Sequence, residues 1–139
     1  MPCEYRPMRP DDYHEIYALW QRVCMGALDD VDSEKNIHSY LAKSPGQSFV
    51  CCADGAIVGT ILCANDGRRA YIHHMAVLPD HRRSGVASEL ARRALAVQKS
   101  LGINKCNLFV FRRNELGRTF WESQGFSVRD DLDIMSREI

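Results

Sequence analysis

The chain has 139 residues, of which 45% are hydrophobic and 26% are charged, an ordinary composition for a globular domain. Eighteen basic residues balance eighteen acidic ones, so no overall field favours nucleic acid or an anionic membrane. We therefore expect one domain over residues 1–139, and any anion site in it must be local.

Six cysteines are scattered along the chain without a C-x-x-C pair or histidines at zinc-finger spacing. Most of them lie in apolar, strand-like runs, which predicts reduced core cysteines rather than a disulfide framework or a metal site. The N-terminus shows no signal or transit pattern, and no apolar stretch is long enough to span a bilayer. We expect a cytoplasmic protein without metal or membrane partner.

The first third of the chain predicts a strand followed by two helices. The strand covers Glu4 to Met8, and Asp12 stands three residues before Glu15, which predicts a capping box at the first helix. That helix has its apolar residues on one face, at Ile16, Leu19, Trp20 and Val23. Ser33 is the predicted cap of a second helix, which Pro45-Gly46 ends.

Two Asp-Gly pairs predict three antiparallel strands in series. Asp54-Gly55 separates the apolar runs Ser48 to Ala53 and Ala56 to Ala64, and such a pair favours a hairpin turn with positive φ at both residues. Asp66-Gly67 opens a further strand, from about Arg69 to Leu78.

The remainder of the chain alternates helices and strands. A helix is predicted from Gly85 to Gly102, a strand over Lys105 to Phe111 and a helix over Asn114 to Ser123, with closing strands at Phe126 to Arg129 and Ile134 to Ile139. The order is β-α-α-β-β-β-α-β-α-β-β. It predicts an α/β fold with a mixed, mostly antiparallel sheet flanked by helices, in which the helical crossover after Gly85 makes two strands parallel.

The segment His81 to Ala87, between a strand and a helix, is the sharpest local feature. The first N–H groups of a helix lack intrahelical partners, glycine allows close approach of a ligand, and Arg82 and Arg83 add positive charge. This combination predicts a phosphate or pyrophosphate site. The alternative is a solvated, basic helix start in which Gly85 only marks the beginning of the helix and binds no ligand. Neither a P-loop nor a dinucleotide-binding glycine motif is present.

Two motifs carry a family resemblance. Arg82-x-x-Gly85-x-Ala87, preceded by Met75-Ala76-Val77-Leu78-Pro79, resembles the acetyl-CoA motif of the GNAT (Gcn5-related) N-acetyltransferase superfamily. Asn114 and the run Phe120 to Phe126 resemble the family's second signature. The resemblance implies a GNAT-type fold over essentially the whole chain, with acetyl-CoA as acyl donor.

The resemblance also implies which residues hold the donor. Backbone groups of the Met75-Ala76-Val77 segment would pair with the pantetheine arm, as an added strand does. The pyrophosphate would lie among the amides of Arg82, Arg83, Ser84, Gly85, Val86 and Ala87. The other side of the cofactor would be lined by Asn114, Phe120 and Trp121. The strands that contain Val77 and Cys106 would splay apart around it.

Acetyl transfer needs a neutral amine nitrogen, and His73 is the predicted base that takes the proton. Strand alternation puts Tyr71, His73, Met75 and Val77 on one face, and some relatives that acetylate arylalkylamines have a catalytic histidine at the position of His73. The alternative is a hydrogen-bonded strand histidine, with His74 on the opposite face. A bulge at this point would swap the faces.

Trp121 occupies the position of the family's usual tyrosine acid, and an indole cannot replace a phenol as proton donor to sulfur. The thiolate could leave unprotonated or take a proton from water, Tyr71 could supply the proton, or transfer could be slow or absent. Trp121 would pack against the cofactor or serve as a core aromatic. An acyl-cysteine on Cys63 or Cys106 is disfavoured because neither has an evident partner base.

The family builds much of its acceptor pocket from the first two helices and their connection, here Cys24 to Asp32. Asp29, Asp30 and Asp32 could attract a cationic amine, or they could form a solvated acidic loop. A small-molecule or peptide amine is the expected acceptor. By analogy with the family, the edge of the last strand could support a homodimer.

The sequence thus predicts an N-acetyltransferase that works by direct attack in a ternary complex. Its rivals are a non-catalytic acyl-CoA-binding or sensing module and a nucleic-acid binder, against which the zero net charge argues.

Overall fold

The computed structural model describes residues 3–24 and 26–139, so Met25, within the predicted acceptor region, lies outside the described residues. Backbone contacts divide the chain into two units, of which the first ends at Phe109 and the second is Val110–Ile139. The elements of the first unit are β1 (Glu4–Pro7), α1 (Tyr13–Val23), α2 (Glu34–Lys43), β2 (Phe49–Ala53), β3 (Ala56–Asn65), β4 (Ala70–Val77), α3 (Val86–Ser100) and β5 (Cys106–Leu108). The second unit contains α4 (Glu115–Ser123). Within the described ranges, no helix is long and apolar enough to cross a membrane.

The five strands form one sheet in the order β1-β2-β3-β4-β5. Neighbours are antiparallel except β4 and β5, which are parallel because α3 connects them as a crossover. The turn between β2 and β3 has positive φ at both Asp54 (53°) and Gly55 (80°), as the Asp-Gly pair predicts. The mixed, mostly antiparallel sheet with flanking helices is therefore confirmed.

Alternation along β3 separates the two helical layers. The Thr60 side chain bonds to Trp20 of α1, while its neighbour Gly59 faces α3. A Cβ on Gly59 would lie 2.9 Å from Val86 Cγ1 and 3.2 Å from Leu90 Cδ1, so glycine is what lets α3 pack this closely on the sheet. The layer with α1 and α2 holds a core that includes Ile16, Leu19, Trp20, Ile37, Leu41, Val50, Leu62 and Ala76.

The C-terminal strand predictions are wrong in part. The last strand of the sheet covers only Cys106–Leu108 of the predicted Lys105 to Phe111, and residues 126–139 form no strand. Apolar side chains there, such as Ile134 and Met135, are exposed. Alternating apolar residues become a strand only where a neighbouring strand accepts their backbone hydrogen bonds, and here none does. The strand edge invoked for a homodimer is accordingly not formed.

The predicted capping box of Asp12 and Glu15 is also wrong. Asp12 ends a 3-10 turn, accepts the Arg9 N–H at 2.8 Å and forms a two-pronged ion pair with Arg6 at 2.9 Å. Glu15 instead accepts the N–H of Ile57 at 2.7 Å. Asp12 is used by residues before the helix and Glu15 by a residue 42 positions away, so neither side chain caps the first turn of α1. The cap predicted at Ser33 is confirmed, since its hydroxyl accepts the Asn36 N–H.

Candidate active site

The loop before α3 has the backbone of an anion cradle. Arg83 (φ 64°) and Gly85 (φ 84°) are both left-handed, and Gly85 is the N-cap of α3 with no side-chain capping bond. A Cβ on Gly85 would have no heavy atom within 4 Å, so the space beside its backbone is open. Arg82, Arg83 and Ser84 are exposed, while Val86 is buried and anchors the helix. The loop therefore places a helix start and its dipole beside an open space, with two exposed arginines in the same loop, and the N–H of Arg82 already donates to the Pro79 carbonyl at 3.2 Å.

The outer edge of β4 becomes unpaired as it approaches this loop. Pairing with β5 runs only from Ala70↔Cys106 to Ile72↔Leu108, and no described strand pairs with that edge further on. Leu78 N–H donates to Val58 C=O on the β3 side, so the backbone of Val77 points to the outer edge. There the carbonyl of Val77 accepts Arg82 Nε at 3.1 Å. The outer edge of β4, which no described strand covers beyond Ile72, thus leads directly to the loop before α3.

A bulge interrupts β4 at His74. Thr60 pairs with Ala76 and Leu62 pairs with His73, so Ile61 alone faces both His74 and Met75. His74 has a φ of 46°, an uncommon conformation for a residue with a side chain. The face prediction is consequently wrong beyond His73: Ala76, rather than Met75 or Val77, shares the face of His73. His74 also departs from its predicted place on the opposite face, since its ring lies against Trp20 at 4.6 Å between centroids.

The His74 ring is held by Asp32, which comes from the connection between α1 and α2. Nε2 of His74 lies 2.8 Å from Oδ1 of Asp32, and the two side chains are only 13% and 6% exposed. The other carboxylate oxygen accepts the Asp29 N–H at 3.1 Å, and Tyr13 donates its hydroxyl hydrogen to the Asp32 carbonyl at 2.7 Å. Of the three predicted acceptor aspartates, Asp29 and Asp30 are exposed, while Asp32 is a buried partner of a histidine.

His73, the predicted base, is half-buried and lies beside an aromatic cluster. Phe109 has its ring centroid 6.2 Å from that of His73 and 6.3 Å from that of Tyr71, with which it stacks. Burial lowers the pKa of His73, the adjacent His74 lowers it further, and the charge of Asp32 opposes both. His73 and Tyr71 share one face, as predicted.

The buried Cys63 of β3 does not have the properties of a nucleophile. A hydrogen bond with Cys106 and burial both raise the pKa of the Cys63 thiol, and Cys63 is completely inaccessible. Among the described residues, no group of three or more histidine, cysteine or acidic side chains is arranged to hold a metal ion.

The predicted residues of the second signature lie in the second unit. Asn114 is the N-cap of α4, and its side chain accepts the Gly117 N–H at 2.9 Å. Trp121 is buried and packs edge-to-face on Phe120 (4.8 Å) and Phe126 (5.1 Å). Their cofactor roles stay predictions; the contacts observed for Trp121 are those of an aromatic core.

The Asp32–His74 pair is the feature that sequence reasoning missed. The two residues are 42 positions apart, and neither sits in a local motif. The only available signal was the expectation that a bulge in this strand would redirect a histidine.

A mixed sheet with a bulged, unpaired strand edge that leads to a glycine-turned helix start is the architecture of a CoA-dependent acyltransferase domain. Residues 13–126 match the Acetyltransferase (GNAT) family, and the chain belongs to it. An acetyltransferase of Sodalis glossinidius (strain morsitans) is 29% identical over 136 residues, which cover 98% of this chain and 95% of that protein. An acetyltransferase of Photorhabdus laumondii is 33% identical over 112 residues, covering 81% of this chain and 78% of its own.

Solved structures share the fold at lower identity. The PaiA N-acetyltransferase of Thermoplasma acidophilum, in complex with coenzyme A, superposes with a TM-score of 0.80 at 20% identity and covers 94% of this chain and 92% of its own. AAC(6')-Iy, in complex with the bisubstrate analogue CoA-S-monomethyl-acetylneamine, gives a TM-score of 0.79 at 17% identity, with 100% of both chains covered. These likenesses establish the fold.

Proposed function

We propose that the chain transfers the acetyl group of acetyl-CoA to a primary amine of a small molecule or peptide, by direct attack in a ternary complex. The observation that carries the proposal is the continuity between the free edge of β4 and the open cradle at Gly85. The edge offers backbone partners for an extended amide-containing arm, and the cradle offers N–H groups and positive charge for a pyrophosphate. Coenzyme A contains both groups in this order, so the residues present fit it.

Each part of the chain has a separate task in binding the donor. Val77 would present its backbone N–H to the pantetheine arm, with Met75 and Ala76 alongside in the same strand segment. The amides from Arg83 to Ala87 would surround the pyrophosphate, while the N–H of Arg82 donates to the Pro79 carbonyl, and the side chains of Arg82 and Arg83 would balance the charge. When bound, acetyl-CoA supplies an activated acetyl thioester. From the resemblance, Asn114 and the following helix are also proposed to contribute to cofactor binding.

The acceptor must lose a proton before its nitrogen can attack, because an alkyl ammonium has a pKa near 10. A histidine on β4 is the proposed proton acceptor, and the bulge brings two candidates, His73 and His74, close to Asp32. For the departing sulfur, water or the hydroxyl of Tyr71 is the proposed proton source. The exposed carboxylates of Asp29 and Asp30 would draw a cationic amine toward the α1–α2 connection.

The test is release of free thiol from acetyl-CoA in the presence of a panel of polyamines, amino acids, aminoglycosides and N-terminal peptides. We expect release with at least one amine class and a dependence on amine concentration that saturates. The same samples are checked for thermal stabilisation by acetyl-CoA alone. Stabilisation without thiol release across the panel would overturn the enzymatic proposal in favour of a non-catalytic acyl-CoA-binding module. Absence of both would overturn the assignment of the cradle.

A further inference from the structure

We propose that His74, rather than His73, takes the proton from the acceptor amine, and that Asp32 is the positioning residue that orients it and stabilises its charge. This inference rests on the proposed acetyl transfer and names the groups that carry its proton step. It goes beyond the family resemblance, because it pairs a residue of the α1–α2 connection with a residue of the strand bulge.

The hydrogen bond to Asp32 decides which nitrogen of His74 is reactive. An ionised carboxylate only accepts hydrogen bonds, so Nε2, which lies 2.8 Å from Oδ1, carries the hydrogen. The neutral ring therefore has its lone pair on Nδ1. Among residues 3–24 and 26–139, the ring makes no other hydrogen bond, and the side chain keeps 13% of its surface exposed. A proton that arrives at Nδ1 gives an imidazolium whose charge the neighbouring carboxylate stabilises, as in a hydrolase triad.

Further contacts restrain the ring, its backbone and its partner Asp32. Trp20 covers it, with 4.6 Å between ring centroids. The carbonyl of His74, displaced from the ladder by the bulge, accepts the hydroxyl hydrogen of Thr60 at 3.0 Å. Asp32 is itself restrained by the Asp29 N–H and by Tyr13. Such restraint is what a general base needs to keep its lone pair aimed at a bound substrate.

The position of the pair in the fold suits an acceptor proton. His74 lies beyond Ile72, in the stretch of β4 whose outer edge no described strand covers. Asp32 belongs to the acidic turn whose neighbours Asp29 and Asp30 are exposed. The dyad therefore joins the connection that faces the amine to the strand edge that faces the donor.

The other titratable groups around the ring do not replace it. Burial and the charge of Asp32 raise the pKa of the Cys24 thiol to about 11, and burial above all raises that of Tyr13 above its usual 10. Both stay protonated from pH 5 to 9. His73 shares the site, but burial and its neighbour His74 lower its pKa, and among the described residues its ring has no hydrogen bond to a carboxylate, whereas that of His74 does. Asp29, Asp30 and Glu34 are exposed.

The ammonium of the acceptor loses two protons in all: one goes to Nδ1 of His74 and from there to bulk water, and the other ends on the sulfur of CoA. The nitrogen–carbon bond forms with the lone pair of the amine, and the carbon–sulfur bond breaks with its electron pair on sulfur.

The experiment compares His74→Gln with wild type on the amine found active in the panel. Glutamine places an amide N–H where Nε2–H lies, so it can keep the bond to Asp32 but cannot take a proton at neutral pH. We expect kcat to fall about 10²- to 10⁴-fold, the acid limb of the pH–rate profile to disappear, and thermal stabilisation by acetyl-CoA to persist. His14→Gln, on the exposed face of α1, is the matched histidine control and should retain wild-type kcat.

Asp32→Asn tests the positioning role, since asparagine keeps the shape but not the charge. We expect it to lower kcat and to move the acid limb of the rate profile, because an imidazolium at His74 would lose its charged partner. If the pair only holds the structure together, Asp32→Asn would lower stability and leave the acid limb of the rate profile in place.

Three results would overturn the inference. If His73→Gln removes the acid limb while His74→Gln keeps it, the base is His73. If both variants keep the wild-type profile, water or the amine itself sets the limb. If wild type binds acetyl-CoA and releases no thiol with any amine, the proposed function is wrong, and so is the role proposed for His74 and Asp32. This result is distinguishable from the first two.

Discussion

The indole N–H of Trp20 donates a hydrogen bond of 2.9 Å to the hydroxyl of Thr60 in the fully buried interior of the first unit. The hydroxyl of Thr60 in turn donates a hydrogen bond to the carbonyl of His74, so a chain of two hydrogen bonds connects α1 to the bulge in β4. The bulge costs free energy because His74 has a left-handed backbone. The chain of bonds offsets that cost and makes the bulge part of the core.

Thr60→Val should break this chain while it keeps the volume of the side chain. We expect a loss of about 1–3 kcal/mol in the free energy of unfolding, since the Trp20 N–H and the His74 carbonyl both lose a buried partner. Urea unfolding measures the loss. Thr60→Ser, which keeps the hydroxyl, is the control and should be more stable than Thr60→Val. If Thr60→Val were as stable as Thr60→Ser, or more stable, the hydroxyl would not be what stabilises the bulge.

Gly59→Ala should destabilise the contact between α3 and the sheet. The added Cβ would meet Val86 Cγ1 at 2.9 Å, and relief of this overlap in a packed core costs about 1–3 kcal/mol. A double-mutant cycle with Val86→Ala measures the coupling. We expect Gly59→Ala to cost less in the Val86→Ala background. Strict additivity would place the strain somewhere other than at this pair.

Gly85→Glu should abolish binding of acetyl-CoA, because the carboxylate fills the open space of the cradle and repels a pyrophosphate. At a ligand concentration of about 100 times Kd, wild type gains about 2.7 kcal/mol of stability and the variant should gain none. Gly102→Glu is the matched control: it has the same φ of 84° and open surroundings, at the other end of α3. It should suffer the same backbone strain and still respond to the ligand. Equal responses of the two variants would remove the cradle from the cofactor site.

The Arg6–Asp12 pair should make the fold sensitive to acid. Burial alone would raise the pKa of Asp12, but the hydrogen bonds from Arg6 and from the Arg9 N–H outweigh it and hold this pKa below its usual value near 3.8. A carboxyl with a lowered folded-state pKa stabilises the protein above its unfolded pKa, and this contribution disappears as the pH falls through the folded value. We expect a loss of about 1–2 kcal/mol on acidification below about pH 4, discounted for the partial exposure of Arg6.

Asp12→Asn should remove this pH dependence of the free energy of unfolding. Urea unfolding of both proteins between pH 2 and 7 measures the difference. The adjacent and exposed Asp11 provides the control, since Asp11→Asn should retain the wild-type slope. A slope that persists in Asp12→Asn would assign the acid sensitivity to other carboxyls.

Features that depend on neighbours in the chain were predictable. The Asp54-Gly55 turn, the Ser33 cap and the Gly85 helix start each follow from the conformational preferences of a few consecutive residues. The parallel pairing of β4 and β5 also follows, because a helical crossover leaves no other direction. The closing strands at residues 126–139 were not predictable from alternation, since a strand is completed by a partner that its own sequence does not contain.

The sequence alone determined the local elements of the proposed donor site: a strand, a glycine turn and a helix start depend on consecutive residues, and their order already predicts a pyrophosphate site. Only the tertiary structure revealed the pair of residues on which the proposed proton chemistry rests. Only the bulge opposite Ile61 turns His74 toward Trp20, and only the packing of α1 and α2 on the sheet brings Asp32 to within 2.8 Å of it. That contact joins residues 42 positions apart, and its formation depends on the packing of the whole core rather than on any local preference.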